Sequence, residues 1–389
     1  MDLKNSQRIG LVLPNIPTYS ETFFNSKIKG LQENGYEVVL FSKSSKKNQH
    51  SSYKIVTAPN FTVRPYLIIE ILLIFWTCLI YFKKASKLYE LNRKEGKSFL
   101  KSIKNIFINS YFFSHSLEWL HFGFGTMALQ SEHIAEVIGA KMAVSFRGFD
   151  FYVYPIKNPN CYNLLFSKKV RYHVLSDKMK TFLIQRGVSA KDIFKITPAI
   201  DVKLFNFQEN TSRQFITISR LHWIKGLEYT IEAFYLLKNQ GIPFHYTIIG
   251  EGIEREKLTF LVNQLGLNEN VTFAGSISHL QVKNQLEKGG IYIQYSLQEG
   301  FCNAVLEAQA MGLLCIVSDA DGLVENVIDQ ETGWVIPKRN AILLAQKMAD
   351  VLQLEETKAQ MIKKNAMERV KNEFNLEKQN ALFLSFYSN

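Results

Sequence analysis

Little in this chain supports a stapled, zinc-dependent or secreted protein. Its 389 residues hold only four cysteines, Cys78, Cys161, Cys302 and Cys315. None stands in C-x-x-C spacing, which speaks against a disulfide framework and a zinc site alike. No signal-peptide core precedes Ile9–Leu13, so a reduced, cytoplasmic protein is expected. The full G-x-G-x-x-G dinucleotide fingerprint is missing: Gly250-Glu251-Gly252 is followed by Arg255 where the third glycine would stand. That ranks nicotinamide chemistry low. No internal repeat or low-complexity segment is visible. Acidic residues are outnumbered, 35 against 46 Lys and Arg, for a formal net charge of +11. The balance fits an anionic partner, and nucleic acid, a phosphorylated sugar and an anionic lipid headgroup all qualify.

What is present is ample apolar material, 47% of the residues, enough for two cores with a cleft between them. Arg8–Leu13 (RIGLVL) reads as a buried strand, and Pro14–Thr22 as the loop at its carboxyl edge. There Ser20, Glu21 and Thr22 would cap the next helix, before a second strand at Glu37–Ser42. Trp119–Gly125 and Met142–Asp150 each read as a strand end and a glycine turn, which puts His121 and Arg147 at the mouth of a cleft. In the second half, strands at Phe215–Ser219, Tyr246–Ile249, Val271–Phe273, Ile291–Tyr295, Cys315–Ser318 and Trp334–Ile336 alternate with amphipathic segments. Such alternation predicts a parallel, doubly wound sheet.

The most informative stretch is Gln298–Gly312 (QEGFCNAVLEAQAMG), with Glu299 and Glu307 eight positions apart. The apolar run before it and the helical spacing from Cys302 onward predict a strand, a turn and a helix. Glu299 falls in the turn, where Gly300 permits close backbone approach. The residues after it, Phe301, Cys302 and Asn303, would bring the free amides of a helix N-terminus to an anion. Glu307 lies two turns further on, on a helix too apolar for a merely solvated carboxylate. Arg220 and Lys225, in SRLHWIKG, follow a strand end and can converge on one diphosphate. On spacing alone, surface charge is the favoured reading. Asp319-Ala320-Asp321 is read as turn chemistry rather than a metal motif.

Glu299-Gly300-Phe301 followed by Glu307 resembles the paired-glutamate motif of the retaining GT-B glycosyltransferases of family 4. The resemblance implies an α/β fold of two Rossmann-like domains facing each other across a cleft, with a C-terminal helix crossing back to the first. Pro198-Ala199-Ile200-Asp201 is similar to the family's interdomain connection, giving an acceptor-side domain at 1–205, a donor domain at 206–370 and the crossing helix at 371–389. A nucleoside-diphosphate sugar is the implied donor. Arg220 and Lys225 would hold its diphosphate, Gly250 and Gly252 would turn near the base, Glu307 would meet the ribose, and Glu299 the sugar. No metal is expected. Ser20 and Glu21 sit in a loop similar to one in exopolysaccharide transferases, and Arg147-Gly148 stands where relatives carry His-Gly, a donor-sugar contact. The implied role is metal-independent, retaining transfer to a glycan or lipid-linked acceptor in cell-surface polysaccharide synthesis. A catalytically silent partner subunit and a basic nucleic-acid-binding protein are the alternatives, and the latter should show clustered basic residues interleaved with exposed aromatics rather than an ordered sugar-nucleotide motif.

One segment falls outside that scheme. Pro65–Phe82 is nearly all apolar, and Lys83–Lys104 after it is basic. An apolar helix beside a basic one fits docking to an anionic membrane surface through 65–104, on the inner face of the cytoplasmic membrane. A core helix followed by a solvated one is the competing expectation.

Overall fold

The structure, a computed structural model, describes residues 7–17, 22–43, 53–59, 67–207 and 212–388. The chain divides into two compact units, one of Met1–Ile196 with Asn380–Asn389, the other of Thr197–Gln379. The expected boundary at 205 falls inside the second unit.

The first unit is built on seven parallel strands: β1 (Arg8–Leu13), β2 (Glu37–Ser42), β3 (Lys54–Thr57), β4 (Trp119–Phe122), β5 (Lys141–Ser145), β6 (Val170–Val174) and β7 (Ile193–Lys195), in the order β3-β2-β1-β4-β5-β6-β7. Helices on both faces bury β1 and β2, so these strands read as continuous apolar runs rather than alternating ones. Helix α1 (Thr22–Glu33) packs Phe23, Phe24 and Ile28 into this core. The last helix, Leu376–Tyr387, adds Phe383, Phe386 and Tyr387 to the same core. Arg171 holds its carboxyl end by donating to the carbonyls of Phe386 (2.5 Å) and Ser388 (2.7 Å). A cation there also complements the helix dipole.

The segment 67–109 forms three helices, α2 (Leu67–Ile80), α3 (Phe82–Lys94) and α4 (Phe99–Asn109). The basic stretch expected as a single helix is therefore two. Gly96 takes φ +77°, which ends α3, and the Ser98 side chain accepts from Lys101 N–H to begin α4.

A polar chain runs through the core of the first unit. His173 Nε2 lies 2.9 Å from Ile196 O, a carbonyl that can only accept, so Nε2 carries the proton. His173 Nδ1 then accepts from Ser145 Oγ (2.7 Å), Ser145 Oγ accepts from His121 Nε2 (2.8 Å), and His121 Nδ1 accepts from Lys27 Nζ (3.1 Å) and from the Tyr387 hydroxyl. Every member is buried. His121 thus sits inside the unit and not at the mouth of a cleft: strand β4 lies in the middle of the sheet, covered on the side where His121 projects by α1 and the last helix.

Burial pushes the Lys27 amine well below its ordinary value of 10.5, and the nearby Arg147 charge adds to the effect. The unfolded chain then binds more protons than the folded one between the folded value and 10.5. Stability should rise with pH across that window and the cost be full below it. Lys27→Met is expected to flatten that rise, as read from urea unfolding of both proteins between about pH 7 and 10. Identical slopes would show that Lys27 does not titrate on unfolding.

The second unit has six parallel strands: β8 (Phe215–Ile218), β9 (Tyr246–Ile249), β10 (Val271–Gly275), β11 (Ile291–Gln294), β12 (Leu314–Ser318) and β13 (Trp334–Ile336), ordered β10-β9-β8-β11-β12-β13. Phe215, Tyr246, Ile291 and Ile316 centre its core, covered by Leu227–Asn239 and Ala341–Leu352. Sequence order reverses between β8 and β11. In open α/β sheets the crevice outside the carboxyl ends at such a reversal is where ligands bind.

Candidate active site

Two loops leave that reversal side by side, Ser219–Gly226 after β8 and Tyr295–Cys302 after β11. They are joined by Leu297 N–H donating to Ile224 O at 2.8 Å. Gly226 makes the approach possible: it takes φ +63°, and a Cβ there would stand 2.2 Å from Tyr295 O. Lys225 Nζ thereby meets Glu299 Oε2 at 2.5 Å, the two side chains only 13% and 14% exposed. Glu299 also accepts from Ser296 Oγ (3.1 Å). Ser296 Oγ accepts from Gln294 Nε2 (2.9 Å), whose Oε1 accepts from the Tyr292 hydroxyl (3.0 Å). The carboxylate is thus positioned from inside the sheet. Burial by itself lowers the Lys225 amine, but the Glu299 carboxylate outweighs it and holds the amine above its ordinary value, with the Arg220 charge acting in opposition. Lys225 is a fixed cation in this site.

Arg220 is exposed at the end of β8. Its loop is backed by Gly250-Glu251-Gly252 after β9. A Cβ on Gly250 would lie 1.9 Å from Ser219 O, and one on Gly252 2.2 Å from Leu221 O. Leu221 N–H donates to Glu251 O at 2.9 Å. The two glycines therefore bring one backbone against another and fix where Arg220 starts.

The helix Asn303–Ala310 begins directly behind Glu299. Asn326 clamps its first turn: Cys302 N–H donates to Asn326 Oδ1 (3.0 Å), and Asn326 Nδ2 donates to Cys302 O (3.1 Å). Arg369 in turn donates to the carbonyls of Glu325 and Asn326, both at 2.8 Å, and lies over Phe374, which packs on Phe301. Gly322 donates to Glu299 O at 2.9 Å, and the space for a Cβ there is filled by Gly300 O at 2.2 Å. Burial first, then the Glu299 charge, pushes the Cys302 thiol up to about 12, so it stays neutral and un-nucleophilic. Asn303 is partly exposed at the helix start.

Glu307 is buried and accepts from His279 Nε2 at 3.1 Å. This hydrogen bond holds the imidazole above its ordinary value against burial. His279 starts the helix His279–Leu286, and its ring meets Phe205 edge-on at 5.2 Å. No sequence signal pointed to His279, Ser296 or Asn326, since their partners lie on other elements or across a loop turn.

The remaining expected residues lie elsewhere. Ser20 and Glu21 are outside the described residues. Arg147, in the first unit, lays its guanidinium over Phe23 (4.3 Å) and Phe24 (4.6 Å), with Nε donating to Gly123 O at 3.4 Å. Asp319 Oδ1 accepts from Lys338 N–H (3.0 Å), and Asp321 Oδ2 from Gln298 Nε2 (2.9 Å). Both aspartates thus hold neighbouring turns. Among the described residues no three His, Cys, Asp or Glu side chains cluster as a metal site would require.

Two doubly wound parallel sheets in one chain are the GT-B architecture. Residues 202–369 match the family described as glycosyl transferases group 1. That stretch lies within the second unit, so the likeness to the group is carried there. A protein of Escherichia coli (strain K12) named for colanic acid biosynthesis, glycosyltransferase WcaL, is 25% identical over 95% of this chain and 96% of its own length. The amylovoran biosynthesis glycosyltransferase AmsK of Erwinia amylovora is 27% identical over 68% of this chain and 67% of its own. Among solved structures, a glycosyltransferase from Rickettsia africae ESF-5 superposes with a TM-score of 0.72 at 20% identity, over 99% of this chain and 98% of that one. HepE of Anabaena, solved with UDP, gives 0.72 at 14% identity over 97% and 98%.

Proposed function

We propose that the protein is a retaining glycosyltransferase that moves a sugar from a nucleoside-diphosphate sugar to a glycan or lipid-linked acceptor in cell-surface polysaccharide synthesis. The observation that carries this reading is the Lys225–Glu299 pair, nearly buried, with Arg220 beside it and a helix N-terminus behind it. Burying two charges costs more than their attraction ordinarily returns, so such a pair at a sheet reversal points to chemistry rather than stability. The relatives named for colanic acid and amylovoran synthesis support the acceptor class, and the solved UDP complex of a similar fold supports the donor.

In this reading the bond between the anomeric carbon and the diphosphate oxygen breaks, and the electron pair leaves with the diphosphate. Lys225, Arg220 and the amides from Asn303 onward offset the developing negative charge. Glu299 faces the positive charge developing on the sugar. The acceptor hydroxyl attacks on the face the diphosphate leaves, and its proton passes to the departing phosphate oxygen. No side chain is assigned as a covalent nucleophile. Glu307 takes the ribose hydroxyls, oriented by His279, and Gly250 and Gly252 line the base. With two cations serving the diphosphate, no metal is assigned.

A thermal-shift panel of nucleoside diphosphates and their sugars, each with and without EDTA, tests the donor and the metal together. At a hundred times its dissociation constant the right ligand should stabilise by about 2.7 kcal/mol, undiminished by the chelator. A shift that needs manganese or magnesium would remove the metal-free reading, and a folded protein that no nucleotide shifts would remove the donor. NMR of the product's anomeric configuration decides retention.

A further inference from the structure

Helix α2 is built the wrong way round for water. Every exposed residue of it among those described is apolar, including Ile68, Leu72, Leu73, Phe75, Trp76 and Ile80. Ile68, Ile80 and Trp76 are 72%, 71% and 61% exposed. Its polar and small positions are on the other side: Glu70, Thr77 and Cys78 flank the buried Ile74, one helical stripe turned to the protein, where α2 packs on α3, α4 and the turn Ser110–Phe112. The Thr77 hydroxyl donates back to Leu73 O at 2.8 Å and offers nothing outward. A contiguous apolar face of this breadth on a protein surface marks a membrane or protein contact.

Charge selects between them. Phe82 and Lys83 continue outward from the end of α2, and at the start of α4 exposed Phe99 and Leu100 are followed by exposed Lys101 and Lys104. No ion pair among the described residues involves Lys83, Lys94, Lys101 or Lys104. Apolar bulk rimmed by unpaired lysines, with a tryptophan in the apolar face, matches the boundary of an anionic bilayer, where acyl chains meet acidic headgroups. Fourteen residues make a helix of about 21 Å, short of the roughly 30 Å hydrocarbon core. No helix among the described residues is long and apolar enough to cross a membrane.

We infer that α2 lies in the plane of an anionic membrane with its Ile68–Leu72–Trp76 side sunk among the acyl chains, while Lys83, Lys101 and Lys104 contact the phosphates. Docking holds the first unit against the bilayer, independently of the donor chemistry of the second.

The full chain should float with vesicles of phosphatidylglycerol and phosphatidylcholine at low salt, more weakly at high salt. Brominated lipid should quench its fluorescence. Of four tryptophans, Trp119 and Trp334 are buried and Trp223 is in the other unit, so Trp76→Phe should remove the quenching yet keep the flotation. Leu72→Glu with Trp76→Glu should abolish flotation and leave the melting temperature unchanged, as both side chains are exposed. Lys83→Gln, Lys101→Gln and Lys104→Gln together should weaken binding to anionic vesicles roughly a hundredfold, at about five-fold per charge, and erase the preference over phosphatidylcholine alone. Failure of the wild type to float at low salt overturns the inference. So does a dimer that the Leu72→Glu, Trp76→Glu variant dissolves while vesicles do not compete, since the face would then join two copies of this chain.

Discussion

Lys225→Ala should weaken nucleoside-diphosphate binding by roughly 2 to 5 kcal/mol and slow turnover with it, because the amine is held charged in a site that excludes most water. The same change leaves Glu299 largely buried without its partner, a loss that can also destabilise the second unit. The two effects separate in a double-mutant cycle. Adding Glu299→Gln to Lys225→Ala removes the orphaned charge, since the amide can still accept from Ser296, and should return the melting temperature toward that of the wild type. Nucleotide affinity should not return. Calorimetric titration of the four proteins reads this directly. Unchanged affinity in Lys225→Ala would end the diphosphate assignment, and a recovery of affinity in the double variant would make Lys225 a structural residue only.

Gly250→Ala should be the most destabilising of the small substitutions near the site. Gly250 takes φ +138°, outside the range of L-residues, and the added methyl would stand 1.9 Å from Ser219 O, a backbone atom with nowhere to go. Strain and displacement together should cost roughly 3 kcal/mol or more. Gly241→Ala is the control: it also has positive φ, +70°, but nothing lies within 4 Å of its Cβ, so it should cost only about 1 to 2 kcal/mol. The difference between the two melts measures the contact of one loop with the other. Nucleotide binding should fall in Gly250→Ala and not in Gly241→Ala, since only the former moves the backbone that carries Arg220. Equal melting temperatures would mean that the Ser219–Leu221 loop is free to yield.

Much of this architecture follows from local pattern. Arg8–Leu13, Glu37–Ser42, Tyr246–Ile249 and Trp334–Ile336 are apolar runs of strand length, and each is a strand with those bounds. The short strand Lys54–Thr57 was missed because it is an edge strand with two exposed positions, whose stability comes from its neighbour and not from its own apolar content. The turn after β11 and the helix after it were legible for the same local reason, an apolar run, a glycine and a helical period in succession.

Long-range placement was not legible. Lys225 and Glu299 are 74 residues apart, and they meet because β8 and β11 are neighbours at the sheet's reversal. Strand order in a parallel sheet is settled by crossovers whose packing is distributed over whole helices, so no short window contains it. His279 opposite Glu307 is another product of that order. His121 looked accessible because it ends a strand before a glycine turn, yet α1 and the last helix close over it, and its partners come from three separate elements. Composition alone pointed to an apolar helix within Pro65–Phe82, and the helix found is Leu67–Ile80. Whether its apolar side would enter a core or face outward depended on which stripe the neighbouring helices covered, and they cover the stripe that holds Glu70, Ile74 and Thr77.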